Sequence, residues 1–507
     1  MKKKYFSLVI SALLLGSLTA CSDWLDVEQN SEKKADEMFD NYDGFKGALA
    51  GCYADLAQPD LYGTRLTMST IESLAALWYQ DGGRLTSYKN KIRENYYFRT
   101  HDYTHSTAED IIRSIYSRLY NAVLETNLII QAFEDGKGDV IADPKSRSVI
   151  EGEAYALRAF LQFDILRLFG EVPGGMQKVE LPYSEVTRFD ESLNYCSFDA
   201  YVEKLKADMD KAVSLLKDND PLSQYTYKEI DNIGKSGYED VSLDDDFMYY
   251  RRYRMNYWAV RALQARVNMY IGESQAAHDL ALEVINGTVA DGDKVIGLSS
   301  KADYGSGSVR NFASPSECLF SLYFDNLHEI SVPLLCGSPT YAGAVGVEQV
   351  DDSEQLTITE DMKADLFLGC DVESDIRARF MWADTRTNQS RLFPTLSKYY
   401  VNESGVIPLL RLSEMYLIAI ESSTDLNEAN GLYDTYMTSK NVARHDYFQS
   451  LDDVKPEMEK EYRRELFGEG QMFYFYKRNK TSLLWSSTGE IMTEDKYILP
   501  LPDTEKR

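Results

Sequence analysis

The sequence predicts a mainly α-helical protein, built from degenerate tetratricopeptide-like helical hairpins that carry long irregular loop insertions. Three observations predict it. Leu157, Leu161, Ile165 and Leu168 recur at spacings of four, four and three, which places them on one helix face. Two short stripes flank Gly272: Ala259, Leu263, Val267 and Tyr270, then Ala277, Leu280, Ala281 and Val284. Their alanines allow the close approach that antiparallel helix pairs need, although the repeat period is not sustained along the chain. Residues 288–405 lose helical periodicity and gain Gly, Ser, Thr and Asp.

Taken in order, Ala35–Leu56 reads as an amphipathic helix weakened by Gly44, Gly47 and Gly51. A second helix is expected over Thr67–Trp78, stopped by Asp81-Gly82-Gly83. Residues 84–107 read as irregular and aromatic, and a long helix follows from Ala108 to Phe133. Val149–Phe169 carries the strongest periodicity and ends at Gly170 and Pro173. Phe198–Leu216 is helical, and residues 218–250 read as a polar insertion. The hairpin around Gly272 closes at Asn286-Gly287. Within the excursion, Cys318–Phe324 has strand character. Helices resume at Leu409–Ile420, Asn427–Thr438 and from Lys455. The organisation expected is a leader over 1–20 and one domain over 21–507, with scaffold at 35–287 and 407–480 and an excursion at 288–405.

The start of the chain speaks to its location. Lys2–Lys4 precede an apolar stretch, Tyr5–Leu18, that is too short to span a bilayer. It ends at Leu18-Thr19-Ala20-Cys21, the form of a bacterial lipobox, in which the Cys is acylated and becomes the new N-terminus. The mature chain is then expected to be lipid-anchored at Cys21 and not membrane-spanning, each buried acyl methylene contributing ~0.8 kcal/mol. Cys21–Glu32 reads as a tether.

A net charge of −27 over 507 residues argues against nucleic acid and against a polybasic grip on lipid. None of the six Cys forms a CxxC or CxxH pair, so no zinc site is expected. Removing Cys21 leaves an odd number, which argues against a disulfide framework and leaves a single bridge, such as Cys318 to Cys336, open. No HExxH, phosphate loop, GxSxG elbow or dinucleotide glycine motif is present. His101 and His105 lack a third ligand in sequence, and Asp244–Asp246 lacks calcium-loop spacing. Glu465 and Glu469, four apart beside Arg463 and Arg464, read as helix-end charges in local ion pairs. No catalytic residue, cofactor or metal is expected.

Four segments carry a resemblance. They are EAYALRAFLQFDILRLFGEVP (Glu153–Pro173), the helix pair Tyr257–Gly287, IPLLRLSEMYLIAIES (Ile407–Ser422), and EYRRELFGEGQMFYFYKR (Glu461–Arg478) with a Pro500-Leu501-Pro502-Asp503-Thr504-Glu505 tail. In this order, and with the lipobox, they resemble the SusD/RagB family of Bacteroidetes outer-membrane lipoproteins from end to end. Two stretches depart from the family pattern: Gln471-Met472-Phe473-Tyr474-Phe475-Tyr476 after Gly470, and Tyr436–Asn441 in place of an Asn-x-Val-Arg run.

The resemblance implies a SusD-like helical fold with a ligand surface made by inserted loops. It implies a lipoprotein on the outer face of the outer membrane that binds glycan and delivers it to a SusC-like TonB-dependent transporter, without chemistry. The alternatives are the same architecture binding peptides, and, from another class, a surface hydrolase. Ligand capture draws on loop aromatics, whose faces lie on sugar C–H groups. Two groups are candidates for that surface: Trp78, Tyr79, Asp81, Tyr96, Tyr97 and Tyr103, and, in the excursion, Tyr304, Tyr323, Tyr341 and Trp382. Trp258, inside a helix, is assigned to the core.

Overall fold

The computed structural model describes residues 37–80, 90–304, 313–336, 349–350, 355–387, 392–399, 405–442, 445–485 and 492–505. The leader and Cys21 lie outside the described residues, as do Asp81 and Tyr341. Among the described residues no helix is long and apolar enough to cross a membrane.

The scaffold is helical, and its ends follow from local chemistry. Helix α1 (Tyr42–Leu56) begins where the Asn41 side chain accepts from Gly44 N–H, and buries Phe45, Leu49, Cys52 and Leu56. α2 (Thr70–Leu74) is short. α3 (Asn90–Arg99) occupies a stretch that reads as irregular in sequence. Its inward positions are Ile92, Asn95, Phe98 and Arg99, so polar residues at core positions hide the periodicity. α4 (Ser106–Glu134) is capped by His105, whose Nδ1 accepts from Thr107 N–H.

α5 (Pro144–Phe169) is the central element. Asp143 caps it, with Pro144 at the first position where no N–H is needed. Every residue from Ala156 to Phe169 is buried, so α5 is enclosed on all sides by α4, α6 (Phe198–Leu216) and α7 (Tyr257–Ile271). The leucine stripe marks only one of its buried faces. Gly152 admits α6: a Cβ there would stand 2.8 Å from Leu216 Cγ.

The hairpin α7–α8 (Ser274–Ile285) turns at Gly272, whose φ of +87° suits glycine alone among common residues. α8 packs on α10 (Leu412–Ser422), which pairs with α11 (Leu426–Ser439). α9 (Glu360–Leu366) lies in the excursion, and α12 (Val454–Leu466) and α13 (Met472–Asn479) complete the scaffold.

The excursion is tied to this scaffold at both ends by a sheet. Strand β1 (Cys318–Phe324) pairs antiparallel with β4 (Gly405–Arg411), Leu322 opposite Ile407. Leu409–Arg411 is therefore strand, where the sequence predicts the start of a helix. Between them, β2 (Trp382–Thr387) pairs with β3 (Leu392–Leu396). Cys318 is a buried free thiol donating to the carbonyls of Ala313 and Ser314, so the bridge to Cys336 left open by the sequence does not form.

Buried charges join the four motif segments. Arg411, at the end of β4, donates to Glu317, Glu465 and Glu469. Glu465 is also met by Lys440 at 3.1 Å and Arg377 at 3.1 Å, and Glu469 by Lys398. These charges are long-range and buried, not the local helix-end pairs with Arg463 and Arg464 that the sequence suggests. Arg266 of α7 meets Glu414 of α10 at 2.7 Å. Lys477 of α13 donates to the carbonyls of Arg167 and Gly170, at 2.8 and 2.7 Å, capping the C-terminus of α5.

Two outcomes follow. Arg411→Met leaves three carboxylates buried without their guanidinium, so unfolding in denaturant should show a loss of about 3–5 kcal/mol. Lys206→Ala, which removes a surface pair to Glu273, should cost under about 1 kcal/mol. An Arg411→Met midpoint equal to that of the parent would refute the role given to the network.

The second concerns Glu72, whose carboxylate accepts from Gly470 N–H at 2.7 Å. Burial pushes Glu72 up to about 8, against the pull of the Gly468 and Gly470 N–H groups and Lys398. The unfolded carboxyl titrates near 4.5, so between these values the folded state holds a proton that the unfolded state has released. The stability from this group is fully present below about pH 4.5 and falls as pH rises to about 8. In unfolding series from pH 5 to 8, the stability of the parent relative to Glu72→Gln should fall with pH. A flat difference would exclude it.

Candidate functional site: an aromatic surface over two clefts

The site is built where residues 246–254 cross the end of β1. Two single 3₁₀ turns, Asp246–Met248 and Arg251–Tyr253, leave the segment without helical periodicity. Its arginines hold it down. Arg251 is fully buried and donates to Asp220 and Glu153, and Arg254 donates to Glu153 at 2.9 Å. Arg252 donates to the carbonyls of Pro315, Ser316 and Cys318 at 2.8–3.1 Å and to Asp231 at 2.8 Å. With the charges inward, the intervening tyrosines face out.

Tyr250 is 61% exposed. Tyr323, the single exposed position of β1, is 49% exposed. Tyr253 stands between them, half-buried, its ring centroid 6.5 Å from Tyr250 and 5.6 Å from Tyr323. Burial, and after it the Asp231 carboxylate, raise the Tyr253 phenol, which stays a neutral hydroxyl donor. The three rings form a continuous aromatic ridge.

A cleft lies on either side of Tyr253. One, of about 410 Å³, is bounded by Ile233, Tyr249, Tyr250, Asp231 and Ser316. The other, of about 250 Å³, lies between Tyr323, Phe247 and the face of α1 that carries Ala50, Tyr53, Ala54 and Ala57. Apolar rings with polar groups at their edges form a surface for a ligand that has both characters.

Comparison with known proteins identifies this architecture. Residues 23–229 match the SusD-like family described as starch-binding and associating with the outer membrane. A SusD superfamily protein from Bacteroides thetaiotaomicron superposes with a TM-score of 0.65 at 20% identity, covering 92% of this chain and 97% of that one. One from Bacteroides vulgatus gives 0.63 at 18% identity, covering 90% and 95%. A protein named as a laminarin-binding SusD-like protein gives 0.58 at 17% identity, covering 91% and 96%. Residues 23–229 are thus similar to that family, and the fold of the chain is SusD-like. No curated protein matches its sequence.

In this SusD-like fold the two aromatic groups singled out by sequence do meet, but in the core. Trp78 is fully buried and donates from Nε1 to Met68 O at 2.9 Å. Trp382 is 3% exposed. Both present edges to the same ring, Phe467, at 4.9 and 4.8 Å between centroids. Tyr304 is buried as well. These three therefore do not face a ligand. The two indoles fill the seam between the end of α2, β2 and the turn after α12.

Of the others, Tyr79 is half-buried and its N–H donates to Thr357 O at 2.8 Å. Tyr96 and Tyr97 are half-buried, Tyr97 stacking on His105 at 3.7 Å. Tyr103 is half-buried and donates to Lys496 O. Of the sequence candidates among the described residues, Tyr323 alone joins the ridge. Tyr249, Tyr250 and Tyr253 do not emerge from the sequence reading. The available signal was the run Tyr249-Tyr250-Arg251-Arg252-Tyr253, where arginines alternate with rings inside a segment otherwise polar.

Among the described residues no group of three His, Cys, Asp or Glu is placed to hold a metal. The clefts beside the ridge carry one carboxylate among their lining residues, Asp231, and Arg252 holds it.

Proposed function

We propose that this protein binds glycan on the Tyr250–Tyr253–Tyr323 ridge and delivers it to a SusC-like TonB-dependent transporter, from an outer membrane to which a lipid on Cys21 ties it. The observation that carries the binding reading is the ridge itself, with two exposed rings and a third fixed between them. Pyranose rings lay C–H faces on such aromatics, while the phenols, Asp231 and Ser316 take hydroxyl hydrogen bonds. The family's description as starch-binding supports the same ligand class. Hydrolysis of a glycoside calls for two carboxyl groups about 5–9.5 Å apart across the bond. The ridge clefts offer one carboxylate held by Arg252, which supports capture without cleavage. The lipobox and the outer-membrane association of the family support the anchor and the partner.

Titration with malto-oligosaccharides and laminarin tests the ligand. Tyr250→Ala and Tyr323→Ala should each weaken binding by about 1–3 kcal/mol, with unfolding temperatures close to that of the parent. The glycan should be recovered at its original length. Unchanged affinity in both variants would move the site elsewhere, and binding of peptides in place of any glycan would replace the ligand class.

The anchor has its own test. Cys21→Ala should shift the protein from the membrane fraction to the soluble one, while the parent stays membrane-bound and protease-accessible on intact cells. Full membrane retention of the variant would rule the anchor out.

A further inference from the structure

The four motif segments converge on a small cavity. It measures about 30 Å³ and lies between α5, α7, α10 and α13, lined by Arg167, Arg266, Tyr270, Glu414, Gln471 and Tyr474 among others. Four polar atoms of the residues on this lining have no hydrogen-bond partner among the described residues: Arg266 Nη1 and the phenol oxygens of Tyr270, Tyr462 and Tyr474. Their residues are 6%, 3%, 5% and 3% exposed, so bulk water does not reach them freely. A buried donor left unpaired is costly, and native interiors satisfy such groups with protein or with ordered water.

The charges around the cavity are already matched. Arg266 uses Nε and Nη2 on Glu414, and Nη2 also reaches Leu409 O. Arg167 is paired with Asp164, and Arg478 with Glu421. What remains is a guanidinium N–H and three hydroxyls, of which the N–H and the phenols of Tyr270 and Tyr474 are the ones joined here through a small neutral partner that both accepts and donates. An anion would meet no uncompensated positive charge. The space exceeds the roughly 10–15 Å³ that one water requires.

We infer that the cavity is an internal hydration site: an ordered water accepts from Arg266 Nη1 and bridges the phenols of Tyr270 and Tyr474. It links α7 to α13 at the point where direct side-chain bonds stop. It also explains why tyrosines, and not phenylalanines, occupy two positions whose rings are buried.

The test is a high-resolution crystal structure of the protein with and without a bromide soak. A peak within hydrogen-bonding distance of all three atoms, giving no anomalous bromide signal, is expected. In solution, oxygen-17 relaxation dispersion of the Tyr270→Phe/Tyr474→Phe variant should show at least one long-lived water fewer than the parent. A bromide peak would make this an anion site and overturn the inference. So would direct bonding of the three side chains to one another with no density between them, or an unchanged count of long-lived waters in a folded variant. Should the variant fail to fold, the density and the bromide soak on the parent still decide.

Discussion

A guanidinium buried in a protein interior must be met by carboxylates, and Arg411 is the point at which this constraint organises the fold. Its partners come from far along the chain: Glu317 just before β1, and Glu465 and Glu469 at the end of α12. The strand pair β1–β4 brings Glu317 and Arg411 to one end of the sheet, so closing the sheet and satisfying the charges are the same event. Around this centre Arg411, Lys398, Lys440, Arg377 and Arg464 are matched by Glu317, Glu465, Glu469, Glu461 and Asp375. Burial by itself raises Glu465, yet Lys440, Arg411 and Arg377 together hold it well below the usual carboxylate range. Glu465 is thus held ionised, and the network around it is specific in its pairing and intolerant of losing a member.

That constraint also separates what the sequence shows from what it hides. Helices whose burial is apolar and periodic are legible: Phe198–Leu216 falls where the pattern places it, and Gly272 turns its hairpin. Spacing, however, reports only neighbours on one helix. Glu465 stands beside Arg464 in sequence, but its partners lie on β4, after α11 and before β2. The same blindness conceals α3, where Asn95 and Arg99 sit at inward positions, and β4, whose apolar run suits a strand as well as a helix.

The candidate site inverts the usual sorting of residues, and that inversion is why its legibility was partial. At 249–254 arginines point inward to Asp220, Glu153 and Asp231, and tyrosines point outward. Trp78 and Trp382 have polar neighbours in sequence, yet both indoles close on Phe467. A rule that places aromatics according to the polarity of their sequence neighbours fails in both places, because exposure is decided by which side chain has a buried charge to meet. Tyr323 was named as one of the aromatics of the excursion, and it is the single exposed position of β1.

The inward arginines also determine what the outward rings can do. Arg252 is fixed by carbonyls before and at the start of β1, so the backbone bearing Tyr250 and Tyr253 is tied to the strand bearing Tyr323. The three rings therefore belong to one rigid unit although a loop segment and a strand contribute them. Ordering a flexible side chain on binding costs about 0.5–1.5 kcal/mol, and a ring already held in place avoids part of that loss. Tyrosine suits the role further because it offers a broad face with few rotatable bonds. A surface of this kind can bind a flexible chain weakly at each ring and still hold it, since successive contacts on one rigid unit act together. The buried ion pairs that tie the excursion to the scaffold thus serve the surface as well: they fix, from beneath, the spacing between rings that a ligand would read.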